Sequence, residues 1–260
     1  MAEAALLGAE LHAALRGRRT VPPLAARYPH LTLDDAYAIS LDLLRRREAE
    51  GERVIGKKIG VTSKAVQDML GVHQPDFGFL TDAMLVADAA TIDIAARGLI
   101  QPRAEAEIAF LLGADLVGPG VTADAVLAAT EFIVPCFEIV DSRIENWKIG
   151  IIDTVADNAS CGVFVLGAAR VPPGGLDLPA LHVRVMKNGK FLSEGLGSAV
   201  QGSPLNAVAW LANTLARYGV VLKAGEVILS GSLVPLEPAG PGDFFEMNLD
   251  GIGGASVRFA

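Results

Sequence analysis

Hydrophobic positions in the first fifty residues recur with a helical period. Leu6, Leu7, Leu11, Ala14 and Leu15 share one side of a helix that Gly17 would stop. Pro22 and Pro23 interrupt, and Thr32 followed by Asp35 resembles a capping box with Asp in place of the usual Glu. The box opens a second helix through Leu41 and Leu44, with Gly51 as its end. From Val54 onward the pattern changes to short β-type runs separated by Gly, Pro, Asn and Asp. Val183 to Lys187 and the run from Phe191 flank Asn188-Gly189, whose tolerance of positive φ predicts a tight hairpin. Phe244 to Leu249 and Ala255 to Phe259 flank Asp250-Gly251 in the same manner, with a longer glycine-rich connection. Between the hairpins, Ser203-Pro204 reads as an N-cap with proline at the first helical position. That helix carries Leu205, Val208, Leu211 and Leu215 on one stripe and ends near Gly219, and Val227 to Leu229 follows as a short buried strand. Helices come first and strands afterwards, without βαβ alternation. This order predicts an α+β fold, with a helical N-terminal region over 1–52 and a β-rich region over 53–260 forming one compact unit.

Composition narrows the partners. Half the residues (51%) are apolar, which excludes disorder for the chain as a whole. A net charge of −8 with no Lys/Arg run argues against nucleic acid and against an anionic membrane surface. The N-terminus reads as an amphipathic helix rather than a signal peptide, and no uninterrupted apolar run reaches membrane-spanning length. Cys136 and Cys161 sit in apolar contexts without a CxxC pattern. They read as buried free thiols in a reducing compartment, hence the cytoplasm.

The segment Gln101 to Phe110 carries the most chemistry. As a strand it projects Arg103, Glu105 and Glu107 to one face and Ala104, Ala106, Ile108 and Phe110 to the other. Two buried carboxylates so placed repel unless a hard divalent cation joins them; the alternative is an edge strand with a solvated acidic face. Glu138, inside the apolar run Phe132 to Val140, needs a partner. Either it pairs with Arg103 or Arg143, or it is a third oxygen ligand of an octahedral Mg²⁺ or Mn²⁺ site. No His or Cys has ligand-like spacing here, which disfavours zinc.

Other segments offer supporting chemistry. Lys58, in Gly56 to Ser63, is either an exposed lysine on a half-buried strand or a cation for a substrate carboxylate or enolate. Thr62 and Ser63 can cap a following helix and are candidate substrate contacts. In His73 to Gly78, Asp76 is expected on a loop, and His73 is either a base or an exposed loop histidine. Asp153 to Gly162 reads as a loop stitched by Asn and Asp hydrogen bonds, with Asp157 and Ser160 as candidates for ordering water or substrate. Ser160 lies outside any G-x-S-x-G elbow, which disfavours a hydrolase-type serine. The backbone of Ser230, Gly231 and Ser232 could approach a carboxylate closely.

Taken in order, GERVIGKKIGVTSKAVQDMLGVHQPDFGFLTDAM, LIQPRAEAEIAF, IVPCFEIVDSRIENWKI, DTVADNASCGVFVLG and AGEVILSGSLVPLEP resemble the 2-hydroxypenta-2,4-dienoate hydratases. That family is grouped with the 4-oxalocrotonate decarboxylases in the fumarylacetoacetate hydrolase superfamily. QPDFG, SPLNAVAWLANTL and SGSLVPLEP favour the hydratase side. The resemblance implies mixed β-sheets curled around a metal site, with a helical N-terminal part. It implies Mg²⁺ or Mn²⁺ on Glu105, Glu107 and Glu138, with Lys58 and Asp76 as catalytic residues. It also implies a 2-hydroxydienoate substrate, homo-oligomers and possible association with the decarboxylase. Two positions depart from it. Ser203-Pro204 stands where many relatives have His-Pro, and Asp141-Ser-Arg143 is shared with decarboxylases where some hydratases have Gly-Ser-Arg. Rival readings are a vinylogous 2-oxo-acid decarboxylase, a partner subunit of that decarboxylase, and a C–C bond hydrolase.

Overall fold

In a computed structural model, residues 2–63, 67–68 and 74–260 are described. Helix α1 (Ala2–Arg16) buries Leu7, Leu11 and Ala14, spaced four and three apart, while Leu6 faces solvent, so the apolar stripe is narrower than expected. A short α2 (Leu24–Arg27) follows the prolines. Helix α3 (Leu33–Ala49) begins at the expected capping box: Thr32 Oγ1 accepts from Asp35 N, and Thr32 N donates to Asp35 Oδ2 at 2.9 Å. Gly51, at φ 100°, releases the chain into the sheet.

The larger sheet contains β1 (Val54–Gly60), β2 (Asp76–Thr81), β3 (Leu85–Val86), β5 (Arg103–Leu112), β6 (Thr130–Val140), β7 (Cys161–Leu166), β10 (Val227–Ser232) and β11 (Glu237–Pro238). Its order is β2-β1-β10-β5-β6-β7-β3, with β11 added on β5. The β1–β10 and β3–β7 pairs are parallel and the others antiparallel. The smaller sheet has the order β4-β13-β12-β8-β9, from β4 (Thr91–Ile92), β8 (His182–Lys187), β9 (Lys190–Leu196), β12 (Phe244–Leu249) and β13 (Gly253–Phe259). Its β8–β9 hairpin turns at Asn188 and Gly189, both at positive φ, as the Asn-Gly pair predicts. The sheets pack through Phe137 of β6 against Phe245 of β12, edge to face at 6.3 Å, and Phe245 against Phe259.

Among the described residues, three further helices follow: α4 (Ala123–Ala129), α5 (Ile151–Ala156) and α6 (Pro204–Leu215). Ser203 Oγ caps α6 by accepting from Leu205 N, and Gly219 ends that region in a left-handed conformation, as the sequence predicts. The segment from Asp153, expected as a loop, is instead the body of α5 followed by a turn. The mixed-sheet α+β architecture with N-terminal helices is the expected one. One buried apolar cluster runs from Leu7 and Leu43 in the helices through Phe77, Ile108 and Phe137 to Phe259. No helix among the described residues is long and apolar enough to cross a membrane.

The larger sheet must curl. Lys58 on β1 and Glu138 on β6 are three strands apart in the sheet order, about 14 Å in a flat sheet. Their side chains nevertheless meet at 3.3 Å. Curvature thus turns one face of the sheet into the wall of a site.

Candidate metal centre and active site

The register of β5 on β6 sets Glu105 directly opposite Glu138, with Glu107 two residues further along β5. Alternation buries Ala104, Ala106, Ile108 and Phe110 on the opposite face, as the sequence predicts. Glu107 and Glu138 are buried and Glu105 half-buried, and one oxygen from each carboxylate lies within 4.8 Å of the others. Burial first, then repulsion from Glu138, pushes Glu105 up to about 7 and raises Glu107 well above the ordinary carboxyl range.

Glu107 Oε2 accepts from Gly231 N at 2.8 Å, while Glu107 Oε1 and Glu138 Oε2 have no hydrogen-bond partner among the described residues. Orphaned carboxylate oxygens converging from two strands fit a hard, oxygen-ligated divalent cation, with open positions left for water or substrate. The donor set contains no nitrogen, and the nearby thiol of Cys161 donates to Glu138 Oε1 at 3.4 Å. Cys136 and Cys161 are both free and buried.

Lys58 is only 3% exposed, which overturns the surface-lysine alternative. It is also the counter-ion of Glu138, at 3.3 Å, in place of Arg103 or Arg143. Arg103 instead stacks over Trp147 at 4.6 Å, and Arg143 binds Asp157. Burial works against the Lys58 charge, but the carboxylates of Glu138, Asp76 and Glu105 outweigh it and hold its pKa above the ordinary lysine value.

Asp76 is not on an exposed loop: it opens β2 and is 1% exposed. Strand pairing sets it against Gly60 at the end of β1, the strand that carries Lys58. A methyl group at Gly60 would come within 2.3 Å of Asp76 Oδ1 and 3.2 Å of Lys58 Nζ, so only glycine lets these two approach. Burial raises the Asp76 pKa, and Lys58 and Thr154 oppose that rise. Thr154 Oγ1 donates to Asp76 Oδ2 at 3.2 Å and lies 3.5 Å from Ser160 Oγ. Thr154 is a contact that sequence reasoning missed; its only signal was its place in the polar stretch after Asp153.

That stretch folds by a device no local pattern announces. Asn158, Ala159 and Ser160 all have positive φ (54°, 51° and 53°), a left-handed turn without glycine. Arg143, 1% exposed, holds both ends of it. Its Nε donates to Asp157 Oδ1 and its Nη2 to Asp157 O, both at 2.5 Å, and its Nη1 donates to Asp141 O and Cys161 O. Asn158 stitches the turn to β2 through both the N–H and the carbonyl of Phe79. The result sets Ser160 beside Thr154, which itself donates to Asp76.

Not every candidate reaches the centre. Asp157 is fully buried, and its oxygens are taken up by Arg143 and Ser142, which makes it structural rather than a group facing substrate. Ser230 Oγ donates to Ile108 O and Ser232 Oγ to Val234 O, so neither hydroxyl is directed to the carboxylates. Gly231 contributes through its backbone, but to Glu107 rather than to a ligand. Thr62 lies against Gly231, where an added methyl would come within 2.5 Å of it, and half-buried Ser63 follows. His73, and most of the helix that Thr62 and Ser63 were expected to cap, fall outside the described residues.

Three strand-borne carboxylates able to hold a cation through oxygen ligands thus stand with a buried lysine and a buried aspartate inside a curled, mixed-sheet fold. Residues 54–260 match the family described as fumarylacetoacetate (FAA) hydrolase C-terminal, and the chain belongs to that family. It is 64% identical over 252 residues to the 2-hydroxyhexa-2,4-dienoate hydratase of Comamonas testosteroni, covering 97% of this chain and 96% of that one. It is 62% identical over 214 residues to a 2-hydroxypent-2,4-dienoate hydratase of Pseudomonas putida, covering 82% and 96%. Among solved structures it is similar to the 4-oxalocrotonate decarboxylase from Pseudomonas putida G7, complexed with magnesium and adipate. That match has a TM-score of 0.96 at 37% identity over 99% of this chain and 97% of the other.

Proposed function

We propose that this chain is a hydro-lyase that adds water to 2-hydroxypenta-2,4-dienoate, or a close 5-substituted relative, to give 4-hydroxy-2-oxopentanoate or its homologue. The observation that carries the reading is the convergence of Glu105, Glu107 and Glu138 beside the buried Lys58–Asp76 pair. The hydratases among its relatives, at more than 60% identity, support it. Glu105, Glu107 and Glu138 would hold Mg²⁺ or Mn²⁺, which supplies Lewis-acid polarisation of the substrate's carboxylate and 2-oxygen when bound.

The chain's own residues then handle protons and charge. The Lys58 ammonium, fixed by Glu138, offsets the negative charge that develops on the 2-oxygen as the enol O–H is lost. Asp76, whose carboxyl is raised by burial, delivers a proton to C5, giving a conjugated 2-oxo-3-enoate. Water adds at C4 of that enone as its second proton goes to C3, and the proton lost from the enol O–H restores Asp76. Thr154 orients Asp76, and Ser160 lies where its hydroxyl can pass a proton to Thr154 or order the attacking water.

A decarboxylase is the second reading, favoured by the likeness in fold to a decarboxylase. Metal-stripped protein with and without added Mg²⁺ or Mn²⁺, followed by product identification, separates the two. Metal-restored 4-hydroxy-2-oxopentanoate, lost in Glu107→Gln, supports the hydratase; a dienol plus CO₂ from 4-oxalocrotonate overturns it. Turnover by the purified chain alone also removes the partner-subunit reading. The two buried free cysteines support a reducing, cytoplasmic setting. Homo-oligomerisation and association with the decarboxylase are proposals resting on the family resemblance.

A further inference from the structure

A cavity of about 510 Å³ has Thr62, Gln67, Pro75, Gln201 and Trp210 among its walls. Two links tie it to the centre. Thr62 packs against Gly231, whose N–H holds Glu107, and Pro75 immediately precedes Asp76. Every described residue lining the cavity is uncharged.

Gln201 is its unusual member. The backbone there is left-handed (φ 48°), a conformation that costs a residue with a side chain, and Gly202 follows at φ 76°. Its Nε2 is shielded from solvent and has no hydrogen-bond partner among the described residues. A buried amide donor without an acceptor is unfavourable unless a bound molecule supplies the oxygen. Strain and an orphaned donor at one residue, on the wall of this cavity, belong together.

We propose that this cavity seats the distal end of the substrate, and that the Gln201 amide donates to the oxygen the reaction installs at C4. The assignment rests on the hydratase reading. It deepens that reading by naming what selects the substrate: the described walls have room for hydrogen or a small alkyl group at C5 and offer no cation to pair with a second carboxylate.

The chain has two tryptophans, so Trp147→Phe leaves Trp210 as the only reporter inside the cavity. Mg²⁺-loaded protein is titrated with 4-hydroxy-2-oxopentanoate, with 2-oxopentanoate and with 2-oxohexanedioate, following Trp210 emission and, in parallel, calorimetry. The hydroxylated acid should bind about tenfold tighter than the plain one, the value of one good hydrogen bond. The dicarboxylate should bind at least about tenfold more weakly than 2-oxopentanoate. Gln201→Gly, which relieves the left-handed strain, should bring the two monocarboxylates to the same Kd and leave that of 2-oxopentanoate within about twofold. Gln201→Asn, which tolerates the same backbone but is one methylene shorter, should behave likewise.

Equal affinities in the parent, a preference that survives both Gln201 variants, tight dicarboxylate binding, or calorimetric binding without a change in Trp210 emission would each overturn the assignment. Failure of the hydratase reading shows elsewhere, as absence of hydration product from the unmodified chain.

Discussion

Replacing Arg143 by Met removes the buried guanidinium that closes the left-handed turn while keeping most of its volume. Four acceptors lose a donor: the carboxylate of Asp157, which keeps only Ser142 Oγ and the backbone N–H of residue 143, the carbonyl of Asp157, which keeps Ser160 N–H, and the carbonyls of Asp141 and Cys161. A buried carboxylate stripped of its partner costs about 3–5 kcal/mol, and each unsatisfied carbonyl about 1–3 kcal/mol where water cannot enter. Asp157 can limit the first cost by taking up a proton. Burial already raises its pKa, to about 6, against the pull of Arg143. Protonation costs about 1.4 kcal/mol for each pH unit above an ordinary carboxyl pKa of about 4, so the ceiling is about 5 kcal/mol at pH 7.5 and about 2 at pH 5.5. Urea unfolding of Mg²⁺-loaded protein should therefore show Arg143→Met destabilised by at least about 4 kcal/mol at pH 7.5, a large part of a typical domain's stability of about 5–15 kcal/mol. The deficit should shrink clearly at pH 5.5. Arg143→Met with Asp157→Leu should recover part of it, because no lone charge remains. A loss under about 1 kcal/mol, or one that does not change with pH, would refute the claim that this ion pair holds the turn.

Two further outcomes follow from the centre itself. Gly60→Ala, whose methyl would sit 2.3 Å from Asp76 Oδ1, should lower kcat at least about tenfold by displacing that carboxyl. Gly174→Ala, where an added methyl meets nothing within 4 Å, is the control and should leave kcat unchanged. In metal-stripped protein the folded-state pKa values of Glu105, Glu107 and Glu138 lie above their unfolded values. The stability they contribute is therefore present at low pH and lost as pH rises through about 7. Calorimetric Tm should fall from pH 6 to pH 8 without metal, and Mg²⁺ should raise it more at pH 8; a metal-free Tm that rises over this window contradicts the cluster's electrostatics.

Local chemistry was legible in the sequence where one short segment decides the outcome. Thr32 and Asp35 cap α3, Ser203 caps α6 and Asn188-Gly189 turns a hairpin, each through contacts within a few residues. The E-x-E face was legible because strand alternation needs no partner. What pairs with Glu138 was not. Both arginines weighed for it lie close in the sequence or on the neighbouring strand, whereas Lys58 is 80 residues away and reaches it only because the sheet curls. Asp76 and the segment after Asp153 were read as loops from their Pro, Asp and Asn content. Asp76 is in fact buried in strand pairing with β1, and the later segment is folded by a distant arginine satisfying its carbonyls. Leu6 matched the helical period yet is 63% exposed.

The opposition of Glu105 and Glu138 across the β5–β6 ladder ties strand alignment to cation binding. Sliding either strand by one residue would turn its carboxylates to the apolar side and dismantle the ligand set. A cation that binds only the aligned pair stabilises that alignment over every shifted one, in proportion to its concentration. Bound there, a cation would favour the native strand register over shifted ones, independently of any part it has in turnover.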